Sequence, residues 1–204
     1  MRRGYLVVLE GGDACGKSTQ AARLAARLGA VLTREPGGTE IGERIRELLL
    51  QPVSGDIDAR TEALLMVAAR AQHVAEVVAP ALSAGRDVVS DRFAGSTLAY
   101  QGFGRGLALE QLRTLSDFAT AGLEADLVML LDLPAATAGA RREGRLDRLE
   151  AAGADFHQRV TEGYAALAAA DPDRWVVVDA SGDRDSVAER VWEAVVGRLA
   201  GTRD

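Results

Sequence analysis

The 204-residue sequence is almost without lysine: of its 24 basic side chains only Lys17 is lysine, and the rest are arginine. It has a single cysteine, Cys15, which excludes an internal disulfide and a cysteine-rich zinc site. No apolar run approaches the roughly 20 residues of a membrane span. The opening Met1-Arg2-Arg3-Gly4 leads into a short apolar run that ends at Glu10. It lacks the longer apolar core and small-residue cleavage site of a signal peptide. Internal repeats, low-complexity linkers and shifts of composition are absent as well. The expectation is one domain over residues 1–204, cytoplasmic and with no membrane partner. A net charge of -6 and a pI near 5.1 argue against nucleic acid as a partner, since a general binder shows a net basic surface.

What is present reads as an α/β domain. Residues 5–9, 127–131 and 175–178 are short apolar runs bounded by charge, as parallel strands covered on both faces are. Residues 87–90 and 30–33 are weaker strands. Helical periodicity fills the gaps at 18–28, around Ile41, Ile45, Leu48 and Leu49, and at 61–82, 109–121, 155–170 and 186–199. This alternation predicts a mainly parallel sheet of about five strands flanked by helices. The polar stretches 102–106 and 141–148 are expected to be the mobile ones.

One motif carries chemistry. Gly11-Gly-Asp-Ala-Cys-Gly16-Lys17-Ser18 matches G-x-x-x-x-G-K-[ST] without a mismatch, between an apolar strand and an amphipathic helix. Its glycines let successive N–H groups point inward at a phosphate, and the helix beginning near Lys17 adds its partial positive charge. Lys17 places a compact ammonium on the β and γ phosphates of a nucleotide, and Ser18 offers a hydroxyl to Mg²⁺. Gly11, Gly12, Asp13, Ala14, Cys15, Gly16, Lys17, Ser18 and Thr19 are thus the predicted ATP site. Cys15 reads as a small filler whose backbone N–H matters. A planar guanidinium does not replace a point charge inside such a loop, so Lys17 is the one basic residue that a bias toward arginine would spare. With no second lysine the guanine-reading N-K-x-D motif is excluded, and no L-S-G-G-Q stretch is present. Small-molecule kinases and their relatives remain.

Further stretches narrow the choice. The P-loop, Thr33-Arg-Glu-Pro-Gly-Gly-Thr39 and Asp91-Arg-Phe-Ala-Gly-Ser-Thr-Leu-Ala-Tyr-Gln-Gly102 follow in this order. Together they closely resemble the bacterial thymidylate kinases, which phosphorylate dTMP with ATP. The resemblance runs from about residue 6 to 199. It implies the P-loop NTPase fold, ATP and Mg²⁺ as nucleotide and cofactor, dTMP as acceptor, direct in-line transfer and a homodimer. Arg92 would grip the acceptor phosphate, and Asp91 would organise Mg²⁺ with Ser18. Asp13 would approach the acceptor's sugar and phosphate. Arg34 and Glu35 would lie near the acceptor with Pro36 fixing the turn, or Glu35 would simply hold Arg34. Arg46 and Arg70 match positions that contact dTMP, and Ser96, Tyr100 and Gln101 resemble residues that line the nucleoside. Tyr100 would crowd the sugar C2′ and Gln101 would face the thymine.

One departure stands out. Met66 occupies the place of a phenylalanine that stacks on the thymine. Methionine packs against a ring face but gives no planar stack.

Four arginines fall between Arg141 and Arg148. They follow the strand that ends near Asp132 and precede a helix, where nucleotide kinases carry a mobile lid, here about residues 141–150. The P-loop has Ala14 and Cys15 where some relatives have arginine. By resemblance the catalytic arginine then comes from the lid, as Arg141, Arg145 or Arg148. His73 and His157 read as surface or packing residues. Two rival readings remain: a deoxynucleoside kinase, which needs a carboxylate base for a sugar hydroxyl, and a P-loop module that binds nucleotide without catalysis.

Overall fold

The structure, a computed structural model, describes residues 3–51, 57–141 and 146–199. Five strands, β1 (Leu6–Glu10), β2 (Val31–Arg34), β3 (Val88–Asp91), β4 (Leu127–Asp132) and β5 (Trp175–Asp179), form one sheet in the order β2-β3-β1-β4-β5. Every pairing is parallel. The central strand β1 is wholly buried, which is why it reads as an unbroken apolar run. Its alternation sorts the core into two layers. Val7 and Leu9 pack with Ala21, Leu24, Val191 and Val195, whereas Leu6 and Val8 pack with Val74, Val78, Leu82 and Phe93.

The first layer is covered by α1 (Lys17–Leu28) and α9 (Arg184–Leu199). The second lies under a long helical run that begins with α3 (Ala59–His73) and ends with α4 (Ala79–Ser83). Between them Val74–Val78 widens into a π turn. Pro80 has no N–H to return to the preceding turn, and the widening falls just before it. The single helix expected over 61–82 is therefore present, with this one irregularity. Between β2 and α3 lies α2 (Glu40–Leu50), which begins where Thr39 accepts the N–H of Gly42 and carries Glu40 and Glu43 in its first turn.

The chain after β3 departs from expectation. Residues 102–106 read as mobile, yet α5 (Ala94–Thr97) continues through a π turn at Leu98–Gly104 that is packed hard against α8 (Ala154–Ala170). A Cβ on Gly104 would lie 2.6 Å from the Phe156 ring, so the glycine is there to admit an aromatic side chain, not to loosen a loop. The remaining elements are α6 (Leu109–Thr120) and the short α7 (Ala135–Arg141), which periodicity did not reveal. Of the stretch 141–148, residues 142–145 lie outside the described residues. No described helix is long and apolar enough to cross a membrane.

The carboxyl ends of β1, β2 and β3 are Glu10, Arg34 and Asp91, and the register sets Asp91 beside Leu9 on one side and Arg34 on the other. Ligands of open α/β sheets bind beyond these ends.

Candidate active site

The P-loop joins β1 to α1. Gly11 has φ 141°, and a Cβ there would stand 2.6 Å from the Leu131 carbonyl oxygen. Only glycine passes under β4 at this point. Ala14 has φ 60° and Gly16 has φ 96°, which turns the loop into the N-terminus of α1. Cys15 is buried, as a filler is. The Lys17 ammonium bends back into the loop and donates to the Gly12 carbonyl at 2.6 Å. Thr19 is exposed on the first turn of α1. Ser18 Oγ donates to Asp91 Oδ2 at 2.5 Å, and Asp91 Oδ1 is buried with no hydrogen-bond partner among the described residues.

Arg92 follows at φ 73°, a left-handed backbone that an arginine adopts only under constraint. Its Nη1 donates to the Gly11 carbonyl, Ser96 Oγ and Tyr164 OH, and its Nη2 to Asp13 Oδ1 at 2.6 Å and to Tyr100 OH. One guanidinium thus ties the P-loop, α5 and α8 together. The surrounding oxygens raise its pKa further against the opposing effect of burial. For Asp13, burial raises the carboxyl, but Arg92 and Lys17 outweigh it and hold the group below its usual range. Its second oxygen, Oδ2, is also buried and takes no hydrogen bond among the described residues, with His157 Nδ1 standing 4.0 Å away. Two orphaned carboxylate oxygens at the mouth of one P-loop are unusual in a folded protein and mark places where a ligand, ion or water completes the bonding.

Behind Arg92 sits Glu10, fully buried at the end of β1. It accepts from Phe93 N, Ser96 N, Ser96 Oγ and Tyr164 OH. Burial pushes its carboxyl up despite these four donors.

A cavity of about 320 Å³ opens beside the P-loop. Asp13, Ala14, Lys17, Ser18, Arg34, Glu35, Pro36, Arg46, Met66, Arg70, Asp91, Arg92, Ser96, Tyr100 and Gln101 all line it, so the fold gathers every residue expected around the acceptor together with part of the P-loop, while neither Arg141 nor Arg148 lines it. On the β2 side Arg34 is half exposed and paired with Glu43, while Arg46 donates to the Pro36 carbonyl. Burial, and then the neighbouring Arg34 charge, presses the Arg46 pKa down. Two guanidiniums that strain each other in this way favour a bound anion between them.

Glu35 does not hold Arg34. It is buried, and it accepts from Arg70 Nε at 2.8 Å through one oxygen while the other meets His73 Nδ1 at 2.9 Å. His73 in turn meets Thr33 Oγ1 at 2.6 Å. Arg70 is completed by Ser116, Thr97 and the Phe93 carbonyl. It is thus no solvated helix arginine but a fixed wall of the cavity. Met66 stands one turn before it on α3, half buried.

The arginines expected to form a lid divide. Arg141 turns toward the Ala180 and Gly182 carbonyls at 3.3 and 3.1 Å and does not line this cavity. Arg145 lies outside the described residues. Arg148 docks on the Leu49 carbonyl at 2.7 Å and on Glu62 at 2.7 Å. Asp147 accepts the N–H groups of Leu149 and Glu150 and closes the turn. Asp147 and Glu150 also line the cavity.

Sequence reasoning missed Glu10, Glu62, His73 and Tyr164. Glu10 was visible only as the charge that ends an apolar run. Glu62 was visible as an acid one and two turns before Met66 and Arg70 on one helix face. His73 and Tyr164 carry no local signal; tertiary packing alone brings them to the site.

Comparison with known proteins gives the same assignment. The sequence profile described as Thymidylate kinase matches residues 9–191. The thymidylate kinase of Desulforudis audaxviator (strain MP104C) is 49% identical over 199 residues, spanning 94% of this chain and 90% of the relative. That of Deinococcus radiodurans is 47% identical over 205 residues, spanning 97% and 99%. Among solved structures, the crystal structure of thymidylate kinase from Ehrlichia chaffeensis superposes with a TM-score of 0.79 at 28% identity, covering 95% of this chain and 99% of that one. A P-loop, an arginine hub at the end of β3 and a cation-rich cavity on this sheet, with half the residues shared across nearly the whole length, place the chain in the thymidylate kinase family.

Proposed function

We propose that this chain transfers the γ-phosphoryl group of ATP to the phosphate of dTMP, giving dTDP and ADP, as a single domain with a lid at about residues 141–150. The P-loop from Gly11 to Thr19 holds the phosphates of ATP, with Lys17 as the charge against the transferring group. Arg92 and Arg46 hold the acceptor phosphate, with Arg34 beside them. Met66, Arg70 and Gln101 face the base, and Ser96 and Tyr100 the sugar. The transition state spreads charge over the transferring oxygens, so catalysis here is positioning and electrostatic stabilisation.

The observation that carries this reading is the cavity itself, lined by Lys17 on one side and by Arg34, Arg46 and Arg92 on the others. Two polyanions meet in such a place. A phosphate acceptor is already ionised and needs no base. Asp13, held low by Arg92, is a poor one, which disfavours the deoxynucleoside kinase. A module that only binds nucleotide has no use for a second set of cations.

Mg²⁺ fits the residues present. The bare Oδ1 of Asp91, with Ser18 Oγ against Oδ2, offers the one or two protein oxygens that Mg²⁺ takes when phosphates and waters supply the rest. Bound there, the ion would offset charge on the transferring phosphates. The catalytic arginine belongs to the lid, among Arg141, Arg145 and Arg148. A homodimer is supported by exposed apolar residues on adjoining helices, Leu64 on α3 and Phe118 on α6. ATP and dTMP as substrates support a cytoplasmic location.

The test is ADP release with ATP, Mg²⁺ and a panel of dTMP, dUMP, other nucleoside monophosphates and thymidine. Turnover with dTMP and none with thymidine is expected. Thymidine turnover without dTMP turnover would sink the reading, and ADP release indifferent to the acceptor would replace it with an ATPase.

A further inference from the structure

Glu62 lies in the first turn of α3 and is fully buried, although it carries a charge. Its carboxylate accepts from Gln101 Nε2 at 2.9 Å, from Arg105 Nε and Nη2 at 3.2 and 3.1 Å, and from Arg148 Nη1 at 2.7 Å. Burial raises its pKa, but these partners outweigh burial and hold it below the ordinary carboxylate range. It therefore stays an acceptor. A carboxylate with no proton can meet only the NH₂ end of an amide, so the Gln101 side chain has one allowed orientation. Its Oε1, which takes no hydrogen bond among the described residues, is left for the cavity that Gln101 lines.

Arg70 stands two turns along the same face of α3. Four hydrogen bonds to Glu35, Ser116, Phe93 and Thr97 use four of its five N–H groups. One Nη1 donor takes no partner among the described residues. The cavity wall thus shows an acceptor from Gln101 and a donor from Arg70. A pyrimidine with a ring N–H beside a carbonyl, as in thymine or uracil, matches that pair. Cytosine, with a bare ring nitrogen beside an amine, presents the opposite at both atoms.

We propose that Glu62 is a specificity-determining positioning residue, which fixes the Gln101 amide so that the site selects a pyrimidine bearing a ring N–H and rejects cytosine. The inference rests on the dTMP kinase reading. It goes beyond it in naming the group that sets the selection. A glutamine at 62 accepts or donates equally well and frees Gln101 to turn over. A site built around one hydrogen-bond pattern discriminates by orders of magnitude, and that margin is what Glu62 protects.

The experiment measures kcat/KM for dTMP, dUMP and dCMP in wild type, Glu62→Gln, Gln101→Met and the exchange Glu62→Gln/Gln101→Glu. The dTMP-to-dCMP ratio should fall by about tenfold or more in both single variants, while the dTMP-to-dUMP ratio holds. The exchange, which returns an obligate acceptor to position 101, should recover most of the lost ratio. If Glu62→Gln does not fold, by circular dichroism, the exchange variant and Gln101→Met decide the matter. An unchanged dTMP-to-dCMP ratio in Gln101→Met or Glu62→Gln would overturn the proposal, as would an exchange variant no more selective than Gln101→Met. Wild type that ignores dTMP altogether would instead sink the kinase reading.

Discussion

Replacing Glu35 with alanine separates what holds the site together from what binds substrate. Glu35 is 5% exposed and touches two side chains buried more deeply still, Arg70 at 2% and His73 at 0%. Removing it strands the Arg70 guanidinium, whose other partners are neutral oxygens. Breaking one side of a buried ion pair costs about 3–5 kcal/mol, because the remaining charge keeps its desolvation penalty. For a chain of this length each kcal/mol shifts the melting temperature by about 2–4 °C, so Glu35→Ala should melt about 6–20 °C lower. The double variant Glu35→Leu/Arg70→Met removes both charges and fills the volume. It should recover most of that stability and still fail to hold the acceptor, since the base-side donor is gone. Calorimetric melting with and without dTMP reads both effects. A Glu35→Ala protein that melts within about 2 °C of wild type would show instead that Thr97, Ser116 and the Phe93 carbonyl alone satisfy Arg70.

Other consequences follow from the same geometry. Lys17→Arg should lose about 10³-fold in kcat, as much as Lys17→Met should, because the loop has room for a point charge donating to the Gly12 carbonyl and not for a planar fork; recovery to within tenfold of wild type in an ADP-release assay would contradict this. Single alanine replacements of Arg141, Arg145 and Arg148 should reveal one whose kcat falls by about 10³-fold or more, and a set with no loss above tenfold would remove the lid arginines from the mechanism. Glu10, pushed up by burial from its ordinary 4.5, contributes stability that is complete below that pH and is lost as the pH rises through its folded value. Glu10→Gln does not titrate, so its melting temperature relative to wild type should climb with pH above about 4.5, and a difference that stays flat would contradict the raised pKa.

Most of the sheet was legible in the sequence because each strand is an apolar run closed by a charge. That charge also marks the ligand end: Glu10, Asp91 and Asp132 stop β1, β3 and β4. The P-loop was legible because its chemistry is local, in backbone amides and one lysine. Around the acceptor the sequence showed which residues gather and not how they bond. Arg70 matches a dTMP-contacting position, but nothing local showed that Glu35, 35 positions away, meets it at 2.8 Å. Arg92 pairs with Asp13 from the P-loop and Tyr164 from α8, joined only by the fold. Residues 102–106 read as mobile because the stretch is polar, whereas Gly104 admits the Phe156 ring. Short α7 escaped because seven residues rich in alanine carry no amphipathic period.

The central claim is that the phosphoryl group passes from ATP to the phosphate of dTMP in this cavity. Phosphorus NMR of the protein with ATP, Mg²⁺ and dTMP tests it directly. dTDP and ADP should appear together in equal amounts, with inorganic phosphate a trace and the reaction lost in Arg92→Met. ADP accompanied by inorganic phosphate while dTMP stays intact would contradict it.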